Sequence, residues 1–505
     1  MKIQKILFID IDNDRRILSD SQLYSNWGHH SIGLMYLASS LKEAFPDIFI
    51  KIFHTLVCND PIKDIILLIK EFKPDLIGLR SLSIAKEQFK NISSIIKKTN
   101  PEIPILAGGP YSSSSSEDIL LTLPIDLIVI GEGEITILNI VKEFNKANKL
   151  PLDIDGTAVL IDGKVKINSP QSPIKDLDKI PFPDYSLINL SDYKGISNHA
   201  FQTAEKSAFI CSSRGCPYSC FYCHQLFGKK VRRRTAENIV LEMRQHIEER
   251  GIMDFIFVDD LFNVPMKTAK EVLSLIIKEL PGIRLNFSNG LRADQVDIEM
   301  IDLLEKAGTV HIAFAIESST SRLQKLIGKN LDIAKATKII NEASKRFVVC
   351  VFFMIGFPSE TFEEAMNTVS LAEKLEYVAE PSLSIVTVYK GTPLYNLLDP
   401  NEEQKKALII QETNIFQPKL LSNTETGFYG DIFPKDKVPL RGTDILEIRW
   451  EWIERVFNNQ NRIQNSHKVL QKHLDKDTII EFYRNLYDNP NFNYKYMKTF
   501  LKLEQ

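Results

Sequence analysis

At 505 residues, with 44% hydrophobic and 25% charged side chains, the chain has apolar material for about two to four folded domains. A formal net charge of -3 gives no global attraction to nucleic acid. Six scattered or clustered cysteines in such a length exclude a disulfide scaffold. The opening apolar run from Ile6 to Ile9 is short and ends at Asp10, unlike a signal peptide, and no apolar stretch reaches the roughly 18 residues of a membrane span. These features predict a protein of the reducing cytoplasm.

The first 145 residues alternate strand and helix patterns, which predicts an α/β doubly wound parallel sheet. Strands are expected at Lys5 to Asp10, Ile48 to His54, Leu76 to Arg80, Ile103 to Ala107 and Leu127 to Ile130, with helices at Ile32 to Ala44, Ile62 to Phe72, Glu87 to Thr99 and Glu117 to Leu123. Ligands of such sheets bind beyond the carboxyl ends of the strands. The loops there are Arg80-Ser81-Leu82, Gly108-Gly109-Pro110-Tyr111 and Gly131-Glu132-Gly133-Glu134. The last is no dinucleotide fingerprint: the third glycine is missing, and Glu132 and Glu134 would repel a pyrophosphate at the helix N-terminus.

Lys73-Pro74-Asp75-Leu76-Ile77-Gly78, Ala107-Gly108-Gly109-Pro110 and Gly131-Glu132-Gly133-Glu134 together resemble the cobalamin-binding domain of cobalamin-dependent radical S-adenosylmethionine (SAM) enzymes. The resemblance implies cobalamin contacts at Ser81, Leu82, Gly108, Gly109, Gly131, Glu132 and Gly133. Glycines 108 and 109 let backbone approach a bulky ligand. His30 and Gly33 stand in the register by which some cobalamin proteins place an imidazole on cobalt, but Gly28 replaces the aspartate that would orient it. His30 is therefore a candidate cobalt ligand or a plain loop histidine. The serines from Ser112 to Ser116 are a polar loop or a contact for the nucleotide tail.

Residues 146–206 change in character. Val159 to Ile161 and Lys164 to Ile167 flank Asp162-Gly163, a two-residue hairpin signal, and Ile180-Pro181-Phe182-Pro183 forbids regular helix. This segment is expected to be a linker.

Cys216, Cys220 and Cys223 form C-x3-C-x2-C. Three thiolates on one short loop can hold three irons of a 4Fe-4S cluster, which normally takes four, and leave one iron open to a substrate. Zinc is the alternative, but it wants a fourth ligand at short spacing, and His224 is poorly placed to supply one. The spacing, with Tyr222 before the third cysteine, resembles the radical SAM superfamily. That resemblance implies SAM bound at the open iron, with Tyr222 against its adenine.

Residues 207–396 alternate again, consistent with the partial, TIM-like (β/α)6 barrel of that superfamily. Phe255 to Val258 leads to Asp259-Asp260, Leu285 to Gly290 to Arg292, and Ile312 to Ile316 to Glu317-Ser318. The resemblance makes Asp259, Asp260, Arg292, Glu317 and Ser318 SAM contacts; helix capping or salt bridging is the other role open to them. Gly328-Lys329, Met354-Ile355-Gly356-Phe357-Pro358-Ser359-Glu360-Thr361 and Gly391-Thr392-Pro393 resemble counterparts in cobalamin-dependent members. The basic run from Lys229 to Arg234 is a solvated face or pairs with a carboxylate of SAM or substrate.

Residues 397–505 read as a helical region without a motif. The family resemblance implies an enzyme with a 4Fe-4S cluster, SAM and cobalamin, fed by an electron donor such as flavodoxin or ferredoxin. The expected outcome is C-methylation of an unactivated carbon in a small-molecule substrate; cyclisation, rearrangement or oxidation without methyl transfer is the alternative. No nucleic-acid partner is expected.

Overall fold

The computed structural model describes residues 2–12, 29–193, 206–414 and 428–487. Two compact units emerge, the first containing the strands between Lys5 and Ile167 and the second those between Ser207 and Ile385. No helix among the described residues is long and apolar enough to cross a membrane.

In the first unit, β1 (Lys5–Ile11), β2 (Phe49–His54), β3 (Leu76–Ser81), β4 (Ile105–Gly108) and β5 (Leu127–Val129) are parallel, in the order β2-β1-β3-β4-β5. Alternate residues feed separate cores: Leu7, Ile9, Ile77 and Leu79 on one face, Ile6, Phe8, Leu76 and Leu106 on the other. Both faces are thus covered, as the unbroken apolar strand sequences require. At Gly78 a Cβ would lie 2.6 Å from the Phe8 ring, so the glycine is what lets these strands pack. The chain leaves β1 toward β2 on one side and returns through β3 on the other, which places the switch point between β1 and β3. β4 starts after the expected Ile103 because Pro104 has no N–H to give to a neighbour.

The expected hairpin exists, with Asp162 and Gly163 both at positive φ. It is not a free linker element. β6 (Thr157–Ile161) pairs antiparallel with β5, and β7 (Lys164–Ile167) with β6, so the hairpin extends the first sheet and covers what would be an exposed strand edge.

The second unit carries a six-stranded parallel sheet: β8 (Ser207–Ile210), β11 (Asp254–Phe257), β12 (Arg284–Leu291), β13 (Thr309–Glu317), β14 (Val348–Ile355) and β15 (Glu380–Ile385), adjacent in chain order. Helices between successive strands make it the partial barrel that the sequence predicts. Two short strands, β9 (Ser213–Arg214) and β10 (Arg232–Arg233), pair antiparallel beyond the end of β8.

Candidate functional site

The β9–β10 ladder pinches off the loop that carries Cys216, Cys220 and Cys223. Its base is bound to the end of β11. Asp259, almost wholly buried, accepts from the Ser212 amide (3.3 Å) and hydroxyl (2.6 Å) and from the Ser213 hydroxyl, while Asp260 accepts from the Gly215 amide at 2.9 Å. Arg233 donates to the Ser212 hydroxyl at 2.8 Å. Both aspartates therefore hold the loop base.

Further segments fix the loop's outer turns. The Phe221 amide donates to the Ile327 carbonyl (3.0 Å), and the Leu394 amide to the Phe221 carbonyl (2.8 Å). Gly328 lies so close that a Cβ there would fall 2.4 Å from the Ser219 carbonyl oxygen, and its φ of +73° suits glycine. The Tyr222 hydroxyl donates to Glu317 at 3.0 Å, and Lys329 donates to the same carboxylate oxygen at 2.8 Å. Glu317 itself takes φ +68°, an uncommon conformation that turns the carboxylate end of β13. Ser318 is fully buried; its carbonyl accepts from Gln324 at 2.6 Å.

Arg292 is also engaged. It donates to Asp294 (2.8 and 3.1 Å) and to the carbonyls of Lys329 (2.8 Å) and Asn330 (3.1 Å), and lies 3.7 Å over the Tyr218 ring. It thereby ties the residue after Cys216-Pro217 to the Gly328-Lys329 turn.

Sequence reasoning assigned no role to Glu360. Its carboxyl is buried and receives the amides of Gly356 (2.6 Å) and Phe357 (2.9 Å), which sets the turn that rests Phe357 on Tyr222 at 6.0 Å between ring centres. Burial pushes this carboxyl up to about 8. The Tyr429 hydroxyl donates to the Gly356 carbonyl, and the Ser359 amide to Lys437 at 2.9 Å, so the motif-free C-terminal region braces the same turn.

Burial raises the Cys216 thiol, and neighbouring Cys220 adds to it. Among the described residues the only three His, Cys, Asp or Glu groups with ligand atoms all within 4.8 Å are Asp10, His29 and His54. Cys216, Cys220 and Cys223 are not such a group.

At the carboxyl edge of the first sheet, Asp10 and Arg80 face each other in register on β1 and β3, joined at 2.8 Å. Burial would raise Asp10, but Arg80, His54 and His29 outweigh it and hold the carboxyl at about 2. Arg80 also meets His29 Nε2 at 3.2 Å, and His54 Nδ1 meets the Tyr193 hydroxyl at 3.0 Å. No local pattern announces this group, because its members come from the ends of three strands and the loop before the helix Ile32–Ala44. His30 packs edge-on against Tyr193 (4.6 Å) and Tyr185 (5.7 Å), a ring in an aromatic wall; Gly28 lies outside the described residues.

The remaining predicted contacts gather on this edge. Ser81 ends β3, with Leu82 next to it, and Gly108 ends β4. A Cβ on Gly109 would meet Arg80 at 2.8 Å, one on Gly131 would meet nothing within 4 Å, and Gly133 starts the helix Glu134–Ala147. Glu132 accepts from the Ile174 amide at 3.2 Å. The hydroxyls of Ser81 and Ser112 are fully buried without a hydrogen-bond partner among the described residues. Buried polar atoms are ordinarily satisfied, so this edge fits a polar ligand that reaches them.

Comparison with known proteins agrees with both halves. Residues 210–372 match the radical SAM superfamily model, and residues 27–141 match the B12 binding domain model. An uncharacterized methyltransferase of Pyrococcus horikoshii is 30% identical over 475 residues, 92% of this chain and 99% of the relative. The chain belongs to the cobalamin-dependent radical SAM enzymes. Its cofactors are a 4Fe-4S cluster, SAM and cobalamin. The cytidylyl-2-hydroxyethylphosphonate methyltransferase of Streptomyces wedmorensis is 28% identical over 362 residues, 66% of this chain and 67% of that protein. The fold is shared with the cobalamin-dependent SAM radical enzyme OxsB, solved with aqua-cobalamin and SAM: TM-score 0.66, 15% identity, covering 99% of this chain and 80% of that one.

Proposed function

We propose that this enzyme transfers a methyl group to an unactivated carbon of a small molecule. The observation that carries the reading is a braced three-cysteine loop in one chain with a B12-type sheet whose carboxyl edge keeps buried hydroxyls unsatisfied. That two relatives are named methyltransferases favours methyl transfer over other radical outcomes. When bound, the cluster supplies the electron that cleaves SAM to a hydrogen-abstracting radical, and cobalamin supplies the methyl group.

In this reading Cys216, Cys220 and Cys223 hold the cluster. Tyr222, Glu317 and Ser318 are proposed SAM contacts: Glu317, itself held by Lys329, fixes the Tyr222 hydroxyl, and Phe357 supports its ring, so the ring is oriented before an adenine arrives. Asp259, Asp260 and Arg292 are proposed positioning residues, since their polar atoms already hold the loop. Ser81, Leu82, Gly108, Gly109, Gly131, Glu132 and Gly133 are proposed to receive cobalamin, with Ser112 added by its orphaned hydroxyl. Residues 1–145 are proposed as the cobalamin-binding domain, 146–206 as its connector, 207–396 as the radical SAM domain and 397–505 as a brace on it. An oxygen-sensitive cluster and a one-electron protein donor of the flavodoxin or ferredoxin class suit a cytoplasmic enzyme.

The test supplies the reconstituted enzyme with methyl-deuterated SAM and a metabolite extract of its host. The reading predicts a species heavier by one labelled methyl, with S-adenosylhomocysteine and 5'-deoxyadenosine formed together. A product that has only lost hydrogens, without S-adenosylhomocysteine, would replace methyl transfer with oxidation or rearrangement.

A further inference from the structure

The basic run Lys229-Lys230-Val231-Arg232-Arg233-Arg234 divides into two parts in the structure. Its arginines face inward: Arg233 bonds Ser212 and the Phe262 carbonyl, Arg234 bonds Asn238 and Glu242, and Arg232 is buried in the β9–β10 ladder. Its two lysines are exposed. Lys229 donates at 2.8 Å to the hydroxyl of Ser219, within the cysteine loop between Cys216 and Cys220.

Two more exposed lysines flank that loop. Lys325 stands two residues before Ile327, which accepts from Phe221, and Lys390 four residues before Leu394, which donates to Phe221. Glu402 lies within electrostatic reach of Lys390, which leaves Lys229 and Lys230 as the stronger part of the rim. Pro217 and Ser219 of the cysteine loop are themselves exposed, so the loop reaches the surface beside Lys229. The chain as a whole is slightly acidic, at net -3, so the local concentration of lysines is not a reflection of general charge.

We propose that this lysine rim is the docking surface for an acidic one-electron carrier protein, which reduces the cluster. The step is outer-sphere: the carrier loses one electron, the cluster gains one, and no bond forms or breaks. Electron transfer weakens steeply with distance, so a donor must approach where the loop is exposed, and opposite charge steers it there. Such encounters are brief and need only a small interface. The proposal rests on the radical SAM reading above.

The experiment measures anaerobic cluster reduction and 5'-deoxyadenosine formation in full-length protein, with reduced flavodoxin in one arm and dithionite in the other. The Lys229→Glu/Lys230→Glu protein should be reduced about tenfold more slowly by flavodoxin at low ionic strength, and the difference should shrink as salt is added. Its cluster content and its dithionite-driven SAM cleavage should match the parent. Lys267→Glu/Lys278→Glu, which changes exposed lysines on the helix Met266–Glu279, should leave both arms unaltered. Equal flavodoxin rates in the rim variant and the parent would overturn the docking surface, as would an equal loss with dithionite. Failure of the parent to cleave SAM with dithionite would instead overturn the enzymatic reading.

Discussion

At the carboxyl ends of β11, β12 and β13 the charged side chains all have partners: Asp259 and Asp260 on the loop base, Arg292 across two turns, Glu317 between Tyr222 and Lys329. At the carboxyl ends of β1, β3 and β4, by contrast, one oxygen of Asp10 and the hydroxyls of Ser81 and Ser112 are buried without a partner among the described residues. The first edge is built in advance, these side chains being committed to the loop and turns they hold. The second holds an acceptor oxygen and two hydroxyls unpaired, at a cost of about 1–3 kcal/mol for each unsatisfied group.

The strongest way to break this comparison is to disturb the prebuilt loop. Gly328→Val forces a branched side chain into φ +73° and into the Ser219 backbone. Strain and overlap of that kind cost about 3 kcal/mol or more. Iron and sulfide content after reconstitution should fall sharply while hydroxocobalamin binding is kept; a full complement of iron would show that the loop tolerates displacement.

A smaller effect of a different kind is expected from acid. Burial, only partly offset by Asp10, pushes His54 down to about 4, so the folded first unit holds it neutral. The unfolded chain binds that proton near the ordinary value of 6.5, so stability is present above pH 6.5 and lost as pH falls toward 4, by about 3 kcal/mol in all. Thermal unfolding of the apoprotein across that window measures it. His54→Leu should flatten the dependence, and an unchanged slope would place the acid sensitivity elsewhere.

The sharpest of the smaller effects has two opposite signs. Ser112→Ala removes a buried, unpaired hydroxyl and should stabilise the apoprotein by about 1 kcal/mol, yet weaken hydroxocobalamin binding by up to about tenfold. Denaturant unfolding and a binding titration read the two signs. A variant that is less stable without cobalamin would mean that the hydroxyl is satisfied in the free protein.

The comparison also explains what could be read from the amino-acid chain. The cluster loop was legible because its chemistry sits within eight consecutive residues, Cys216 to Cys223, and the strands of the first sheet because apolar runs alternate with helical periods. The Asp10, His29, His54 and Arg80 group was not, because the pairing of β1 with both β2 and β3 assembles it from distant segments. The roles of Asp259, Asp260 and Arg292 were ambiguous for a related reason: a polar residue at a strand end can face a ligand or a loop, and only their hydrogen bonds show them holding the loop. The hairpin at Asp162-Gly163 was plain from its turn chemistry, whereas its partner strand was not, since β5 offered an edge that no local pattern announces.

The central claim is that the three cysteines carry the radical chemistry and that the cobalamin edge is built independently of them. It is tested most directly by replacing Cys216, Cys220 and Cys223 singly with alanine and quantifying 5'-deoxyadenosine and bound cobalamin in the anaerobically reconstituted proteins. The account predicts no 5'-deoxyadenosine from any of the three and undiminished cobalamin binding in all of them; SAM cleavage that persists in even one would contradict it.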